Sequence, residues 1–203
     1  MERCPSGLRC KPGTFVWGQL HRGFESPLLR FYINNINMIY YTLYLSPIGE
    51  ITIVSDENYI LGIWFKNQKY FLNGYKNKTV INKKTKIIVK VINWLDLYFN
   101  CKNPSINSIN LAPLGTAFQK EVWEILTRIP YGKVTTYGNI AKLLSSSSSS
   151  MLARAVGNAV SKNPISIIIP CHRVLGSENK LTGYAGGLDR KKYLLNLEGI
   201  NFS

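Results

Sequence analysis

The stretch TAFQKEVWEILTRIPYGKVTTYGNIAKLL, residues 116–144, shows the helical organisation from which the fold class follows. Thr116 is a suitable N-cap for a helix that ends before PYGK. The apolar positions of that helix share one face: Phe118, Val122, Ile125, Leu126 and Ile129. A second helix is predicted over 135–144 and a third over 152–163. Three short helices in succession predict a helix-turn-helix.

The third predicted helix, LARAVGNAVSKN, has an unusual number of small side chains: Ala153, Ala155, Gly157 and Ala159. Small residues let a backbone approach a wide ligand such as a DNA groove, although they equally allow close packing on another helix. Arg154 is suited to an emptied position in a base stack, or is a solvated charge. The serine run at 145–150 is a low-complexity connection with no predicted chemical role.

The preceding part of the chain alternates β-prone runs with turns. MIYYTLYL, ITIV and YILGIWF are separated by SPIGE and SDEN, which predicts an antiparallel meander. An amphipathic helix able to cover this sheet follows, with its apolar face at Ile88, Val91, Ile92, Leu95 and Phe99. We therefore expect an α/β domain over 38–105, a linker over 106–114, and a mostly α domain with the helix-turn-helix over 115–203.

The first 37 residues show no hydrophobic period and no apolar core of a signal peptide. The codons for GFESP, residues 23–27, can contain GGTTCGAATCC, a string that resembles the T-arm of a transfer-RNA gene. We hypothesise that translation begins at Met38 and that 1–37 is a non-native extension. The alternative is a disordered basic tail.

Charge and composition narrow the function. The chain has 25 Lys and Arg against 11 Asp and Glu, which favours a polyanion, with nucleic acid first and an anionic membrane second. No apolar run approaches the roughly 18 residues of a membrane span. Four cysteines are too sparse for a disulfide framework, which predicts a cytoplasmic protein. Beyond residue 37 only Cys101, Cys171 and His172 remain as soft ligands, so no metal is predicted.

The stretch IIIPCHRV, residues 167–174, places a nucleophile beside a general base. We expect an apolar strand that Pro170 ends. A cysteine reacts as its thiolate and needs a base or a positive field, which His172 could supply. Consecutive strand side chains point to opposite faces, so a turn or a bridging water must bring the two together. The alternative is an inert buried cysteine beside a solvent-facing histidine.

The sequence resembles the O6-alkylguanine-DNA alkyltransferases, whose signature is PCHR followed by a valine or similar residue. The likeness covers essentially all of 115–199, through GTAFQKEVWEIL, IPYGKVTTYGNIAKLL, ARAVGNAVSKNPISIIIPCHRV, TGYAGGLDRKKYLL and LEG. A looser likeness relates 38–105 to the family's ribonuclease-H-like domain. The resemblance implies a winged-helix-like C-terminal domain, a monomer and no cofactor.

The family's chemistry implies that Cys171 attacks the alkyl carbon on O6 of guanine in double-stranded DNA. The carbon stays on the sulfur as a thioether, so one molecule repairs one lesion. His172 would act as the base through a water, and Glu198 would accept the other ring N–H. Asn163 would brace the turn that carries the site. Methylated thymine is a further possible substrate.

The resemblance also implies roles in holding the DNA. Tyr137 would contact the flipped base and help to protonate the leaving guanine, and Arg154 would replace the extruded nucleotide in the stack. The backbone carbonyls of Cys171 and Val174 would bind the exocyclic amine. Remaining contacts would come from helix residues and a covering loop: Ala153, Ala155, Gly157, Tyr184 and Ala185. Taken without the family, Tyr137 is a packing aromatic and Glu198 a surface residue.

The sequence departs from the family pattern in two ways. The serine run lengthens the connection from Tyr137 to Arg154, and the zinc-binding side chains of some relatives have no counterpart here.

Three alternative functions stay open. A non-catalytic alkyltransferase-like damage binder would lack the nucleophile that Cys171 supplies. A Cys-His hydrolase would need an oxyanion hole and water access. A transcription regulator would leave PCHR unexplained.

Overall fold

Four strands of the computed structural model form one sheet in the order β3-β2-β1-β4. They are β1 (Ile39–Ser46), β2 (Gly49–Ser55), β3 (Ile60–Phe65) and β4 (Val80–Asn82). The first three form the predicted antiparallel meander, whereas β4 pairs parallel to β1 and was not predicted. All three residues of β4 are exposed, so the alternation that marks a half-buried strand is missing there.

The structure describes residues 38–78, 80–145 and 150–202. Those from Met38 onward pack as one compact unit. The hypothesis about the start codon concerns residues 1–37, which lie outside the described part, as do residues 146–149 of the serine run. No helix in the described ranges is long and apolar enough to cross a membrane.

Helix α1 (Lys86–Phe99) covers the sheet and begins at Thr85, whose side chain accepts the Ile88 N–H. Its buried residues are Ile87, Ile88, Val91, Trp94, Leu95 and Tyr98. The predicted apolar face is therefore rotated slightly, because Tyr98 is fully buried while Phe99 is only partly so. This rotation directs the Tyr98 side chain away from solvent and into the protein.

The outer edge of β3 is paired with two segments from later in the chain. Ile60 donates to Asn110 O at 2.8 Å and accepts from Ala112 N at 2.9 Å, so part of the predicted 106–114 linker lies along the strand. Ile63 donates to Pro164 O at 2.8 Å and accepts from Ser166 N at 2.9 Å. These bonds fix the start of the segment that leads to Cys171.

The predicted strand over 167–169 is wrong, because this apolar run is a buried turn. Ile167 has a φ of 70°, and Ile169 N donates back to Ile165 O at 3.1 Å. A short apolar run gives the same pattern for a buried strand and a buried turn. The turn brings Cys171 back toward the helices.

Three helices form the predicted helix-turn-helix region: α2 (Ala117–Thr127), α3 (Tyr137–Leu144) and α4 (Ser150–Ser161). Thr116 and Gln119 make a capping box at the start of α2. Trp123 of α2 donates its indole N–H to Ala159 O on α4 at 2.9 Å. Together with the sheet domain, this arrangement confirms the predicted fold class.

The second helix begins two residues later than predicted. Thr135–Thr136 form a short strand, β5, which pairs parallel with β6 (Val174–Leu175). Thr136 then caps α3 by accepting the Asn139 N–H at 3.2 Å. This small sheet joins the start of α3 to the two residues that follow Arg173.

Candidate active site

The side chain of Asn163 bonds the turn before Cys171 at several points. Asn163 Nδ2 lies within donor distance of Ile165 O (3.2 Å), Ile169 O (2.9 Å) and Cys171 Sγ (3.0 Å). Its Oδ1 accepts the Ile165 N–H at 3.0 Å. Asn163 therefore links both ends of the turn to the sulfur, and it is only 3% exposed, so water does not compete for these bonds.

Cys171 opens a 3₁₀ turn, Cys171–Arg173, that follows Pro170. Burial raises the pKa of the thiol, while the Asn163 hydrogen bond and the positive charge of Lys191 act in the opposite direction. The residue is 5% exposed. A thiol in this setting stays protonated near neutral pH, so it needs a base to become a nucleophile.

His172 and Glu198 form a buried pair, with Nε2 and Oε1 2.8 Å apart and both side chains fully shielded from solvent. Glu198 follows helix α5 (Leu188–Leu197) as its C-cap. Burial lowers the pKa of His172, although Glu198 raises it in part. Nδ1 has no hydrogen-bond partner among the residues that the structure describes. The interpretations of His172 as solvent-facing and of Glu198 as a surface residue are wrong.

The Glu198 carboxylate accepts four further hydrogen bonds. Arg173 donates through Nε to Oε2 at 2.8 Å and through Nη2 to Oε1 at 3.0 Å. Gly132 N donates to Oε2 at 3.2 Å, and the Tyr98 hydroxyl donates to Oε1 at 2.7 Å. Burial would raise the pKa of Glu198, but the hydrogen bonds and charges of His172 and Arg173 outweigh it and lower the pKa to about 2. The group is therefore ionised at neutral pH.

A pocket of about 270 Å³ opens over the Cys171 side chain. Its lining residues are Lys69, Tyr137, Gly157, Val160, Ser161, Cys171, Gly183, Tyr184 and Ala185. Five of the predicted site residues thus share one cavity. A Cβ at Gly157 would lie 3.7 Å from the Tyr137 ring, so the small residue leaves room beside the tyrosine.

Other predicted residues are not among those that line the pocket. Val174 is buried, and its carbonyl accepts Lys191 Nζ at 2.6 Å. Arg154 and Ala155 are exposed, Ala153 is half-buried, and Ala159 is buried. Residues two apart on a helix are about 200° apart, so these small side chains do not form one face. Ala159 therefore fits the interpretation as a packing residue. Ala155 is exposed and fits the interpretation as a residue that approaches a DNA groove.

Three side chains at the site were not predicted: Tyr98, Arg173 and Lys191. Tyr98 lies three positions after Leu95, a spacing that marks the same helix face. Lys191 is fully buried and donates to the carbonyls of Val174 and Thr182, at 2.6 and 2.9 Å. Burial lowers its pKa to about 8, an effect that the Cys171 charge partly opposes. Nothing in the string DRKK marks which lysine points inward.

The described residues contain no group of three or more His, Cys, Asp or Glu side chains placed to hold a metal ion. Cys101 is exposed, whereas Cys171 is buried.

The structure combines a ribonuclease-like sheet domain with a helix-turn-helix domain, and a buried Cys-His-Glu site lies beneath a pocket. These features define the class as DNA methyltransferases that carry a site cysteine. The family model described as "6-O-methylguanine DNA methyltransferase, ribonuclease-like domain" matches residues 39–113. The model for the DNA binding domain of the same family matches residues 117–200. The chain belongs to the 6-O-methylguanine DNA methyltransferase family.

Relatives along the whole of both domains agree with this assignment. The methylated-DNA--protein-cysteine methyltransferase of Haemophilus influenzae is 42% identical over 81% of this chain and 88% of its own length. That of Methanosarcina acetivorans is 44% identical over 79% of this chain and 99% of its own length. The solved structure of Mycobacterium tuberculosis OGT in complex with DNA has a TM-score of 0.69 at 35% identity, covering 78% of this chain and 92% of that chain.

Proposed function

We propose that this protein repairs DNA by transferring the methyl group of O6-methylguanine to the Cys171 sulfur, one group per molecule. The observation that carries the proposal is the position of Cys171: its sulfur lies under a pocket, next to a histidine whose free ring nitrogen is buried. Family membership and the names of the relatives support the same activity. O4-methylthymine is a second candidate substrate.

The transfer forms one bond and breaks one. The thiol proton passes through a water to His172 Nδ1, the sulfur attacks the methyl carbon, and the carbon–O6 bond breaks with its electron pair on the guanine. Tyr137 supplies a proton to the leaving base and regains one through water from the protonated His172, so that the thiol proton is in effect passed to the guanine. Thr182 Oγ1 donates to the Tyr137 hydroxyl at 3.4 Å, which leaves the phenolic hydrogen free for the substrate. The thioether is stable, so the protein is spent after one turnover.

The guanine must leave the duplex before its O6 can reach a recessed sulfur. Tyr137 and Gly157 both line the pocket, and Arg154 is exposed on the same helix as Gly157, α4. We assign Arg154 to the vacated stack position, and Ala153 and Ala155 to contacts with the groove. The Tyr184-Ala185 segment covers the base and donates to O6. The net charge of +14 supplies general attraction for the phosphates.

The carbonyls of Cys171 and Val174 are assigned to the exocyclic amine of the base. Each already accepts one hydrogen bond within the protein, Cys171 O from Val174 N and Val174 O from Lys191 Nζ. A carbonyl oxygen has two lone pairs, so each can accept a second donor. The partner is double-stranded DNA with an alkylated guanine, and the protein acts as a cytoplasmic monomer.

Incubation with duplex DNA that carries O6-methylguanine tests the proposal. We expect one methyl group per molecule on the peptide that contains Cys171, detected by mass spectrometry after digestion, and no second turnover. A protein that restores guanine repeatedly, or that binds the lesion and leaves the Cys171 peptide unmodified, would contradict it. The second outcome would favour the non-catalytic damage binder.

Arg154→Ala is expected to slow transfer from duplex DNA roughly ten-fold or more, because one desolvated contact is worth about 1–3 kcal/mol. The reaction with free O6-benzylguanine, which needs no flipping, should keep its rate. Arg128→Ala is the matched control, since Arg128 is an exposed arginine paired with Glu124 on α2. Rates on both substrates are compared by peptide mass spectrometry. An equal loss on the free base would show that Arg154 does not act through DNA.

A further inference from the structure

Tyr98 belongs to the sheet domain, yet its hydroxyl reaches the His172–Glu198 pair. The hydroxyl oxygen lies 2.7 Å from Glu198 Oε1 and 3.3 Å from His172 Nε2. The ring is fully buried, stacked on Trp94 at a centroid distance of 5.4 Å and edge-on to Tyr131 at 6.1 Å. This packing leaves the hydroxyl no other orientation than toward the carboxylate.

We infer that Tyr98 is a positioning residue for the transfer reaction: its hydroxyl donates to Glu198 Oε1 and weakens that oxygen as the acceptor of the His172 ring N–H. The ribonuclease-like domain then contributes a group to the reacting network as well as a scaffold. The inference rests on the proposed function only where it concerns the rate of transfer. Its consequences for His172 hold in the protein without DNA.

The number of available hydrogens determines the tautomer. A phenol has one hydrogen to donate, and the shorter distance assigns it to Glu198 Oε1. Glu198 is ionised and only accepts, so the hydrogen in the 2.8 Å contact with His172 must come from Nε2. Nδ1 is left with its lone pair, buried and without a partner in the described part of the chain. It is the nitrogen that can take the thiol proton.

The effect of the Tyr98 hydroxyl is on the proton affinity of His172. The other titratable or charged groups that act on the pair, or on the two tyrosines Tyr98 and Tyr131 beside it, are Arg173, Lys191, Cys101 and Tyr184. Arg173 and Lys191 disfavour a protonated His172, whereas the carboxylate favours it. A third donor on Oε1 weakens the pull of the carboxylate on the ring N–H. Tyr98 therefore helps to keep His172 neutral and able to accept a proton.

Tyr98→Phe tests this because it keeps the ring packing and removes only the donor. Nitrogen-15 NMR of histidine-labelled protein gives the tautomer and pKa directly, since His21 and His172 are the two histidines of the chain. We expect unprotonated Nδ1 in the wild type and a higher pKa of His172 in the variant. The acid limb of the transfer rate should move to higher pH together with the pKa of His172, with DNA affinity unchanged.

Tyr131→Phe is the matched control. Its hydroxyl donates to Leu197 O at 3.0 Å and its ring contacts Tyr98, so the variant loses a partly buried tyrosine hydroxyl that makes no hydrogen bond to the carboxylate. It should leave the pKa of His172 and the pH profile in place. An equal shift in Tyr131→Phe, or none in Tyr98→Phe, would overturn the inference.

A second substitution covers the case in which Tyr98→Phe fails to fold. Incorporation of 3-fluorotyrosine at Tyr98 keeps the ring and makes the hydroxyl a stronger donor, so the pKa of His172 should fall instead of rise. A rise or no change would contradict the inference. If Tyr98→Phe raises the pKa of His172 but the wild type transfers no methyl group, the proposed function fails while the role of Tyr98 toward His172 stands.

Discussion

Replacing Glu198 by glutamine is expected to abolish measurable methyl transfer and to lower the free energy of unfolding by about 3 kcal/mol. The carboxylate accepts hydrogen bonds from Arg173, His172, Tyr98 and the Gly132 backbone. A neutral amide leaves the buried Arg173 charge uncompensated and turns an N–H toward other donors. Chemical denaturation measures the loss of stability, and methyl incorporation measures the loss of transfer.

Glu124→Gln is the control for that substitution. Glu124 pairs with Arg128 at 2.6 Å, but both side chains are largely exposed, so the change should cost less than about 1 kcal/mol and leave transfer intact. If Glu198→Gln loses no more stability than this control, the buried Glu198–Arg173 pair does not contribute to the free energy of unfolding.

The same carboxylate predicts an acid dependence of stability. Its pKa falls from an ordinary value of 4.5 to about 2 in the folded protein. An acid whose pKa is lower in the folded than in the unfolded protein stabilises the fold at pH values above its unfolded pKa. That contribution to stability disappears as the pH falls from about 4.5 toward 2. Glu198→Gln should therefore show a weaker loss of stability than the wild type across this range.

Replacing Cys171 by alanine is expected to remove all methyl incorporation while DNA affinity stays unchanged. The side chain is small and lies at the base of the pocket, and its hydrogen bond from Asn163 is one of several that hold the turn. Methyl incorporation and binding to duplex with and without the lesion are measured on the same preparation.

Cys101→Ala is the control, because Cys101 is the exposed free cysteine of the described residues and should be dispensable. Loss of DNA affinity together with transfer in Cys171→Ala would assign a structural role to the sulfur. Continued incorporation in that variant would place the methyl acceptor elsewhere.

Sequence patterns were sufficient for most helices and for three strands, because those elements have an apolar face that repeats at a fixed spacing. The turn at 167–169 and the strand at 80–82 lack such a pattern. Hydrogen bonds from Asn163, in the first case, and pairing to β1, in the second, determine their conformation. The strand at 80–82 depends on a partner strand that is distant in the chain. The turn at 167–169 depends on hydrogen bonds of one side chain, which the apolar pattern of the run does not include.

The candidate site shows the same division. His172 and Glu198 are in hydrogen-bond contact, although they lie 26 positions apart in the chain. Tyr98 and Lys191 were missed because a tyrosine in an amphipathic helix and a lysine among other charges have ordinary local explanations. Only the fold shows that one reaches across 100 residues of chain to a carboxylate.

The backbone at Ile167 limits how far the site could be moved to another protein. A β-branched residue with a φ of 70° is unfavourable by itself, so the surrounding protein must impose that conformation. The pairing of Ile63 with residues 164 and 166, and the Asn163 hydrogen bonds, provide this constraint. A peptide spanning 163–174, or the same segment grafted onto a foreign scaffold, should relax to another shape and lose the reactive geometry. The reactivity of the PCHR motif thus depends on the whole fold, and the motif alone is not expected to be reactive in another protein.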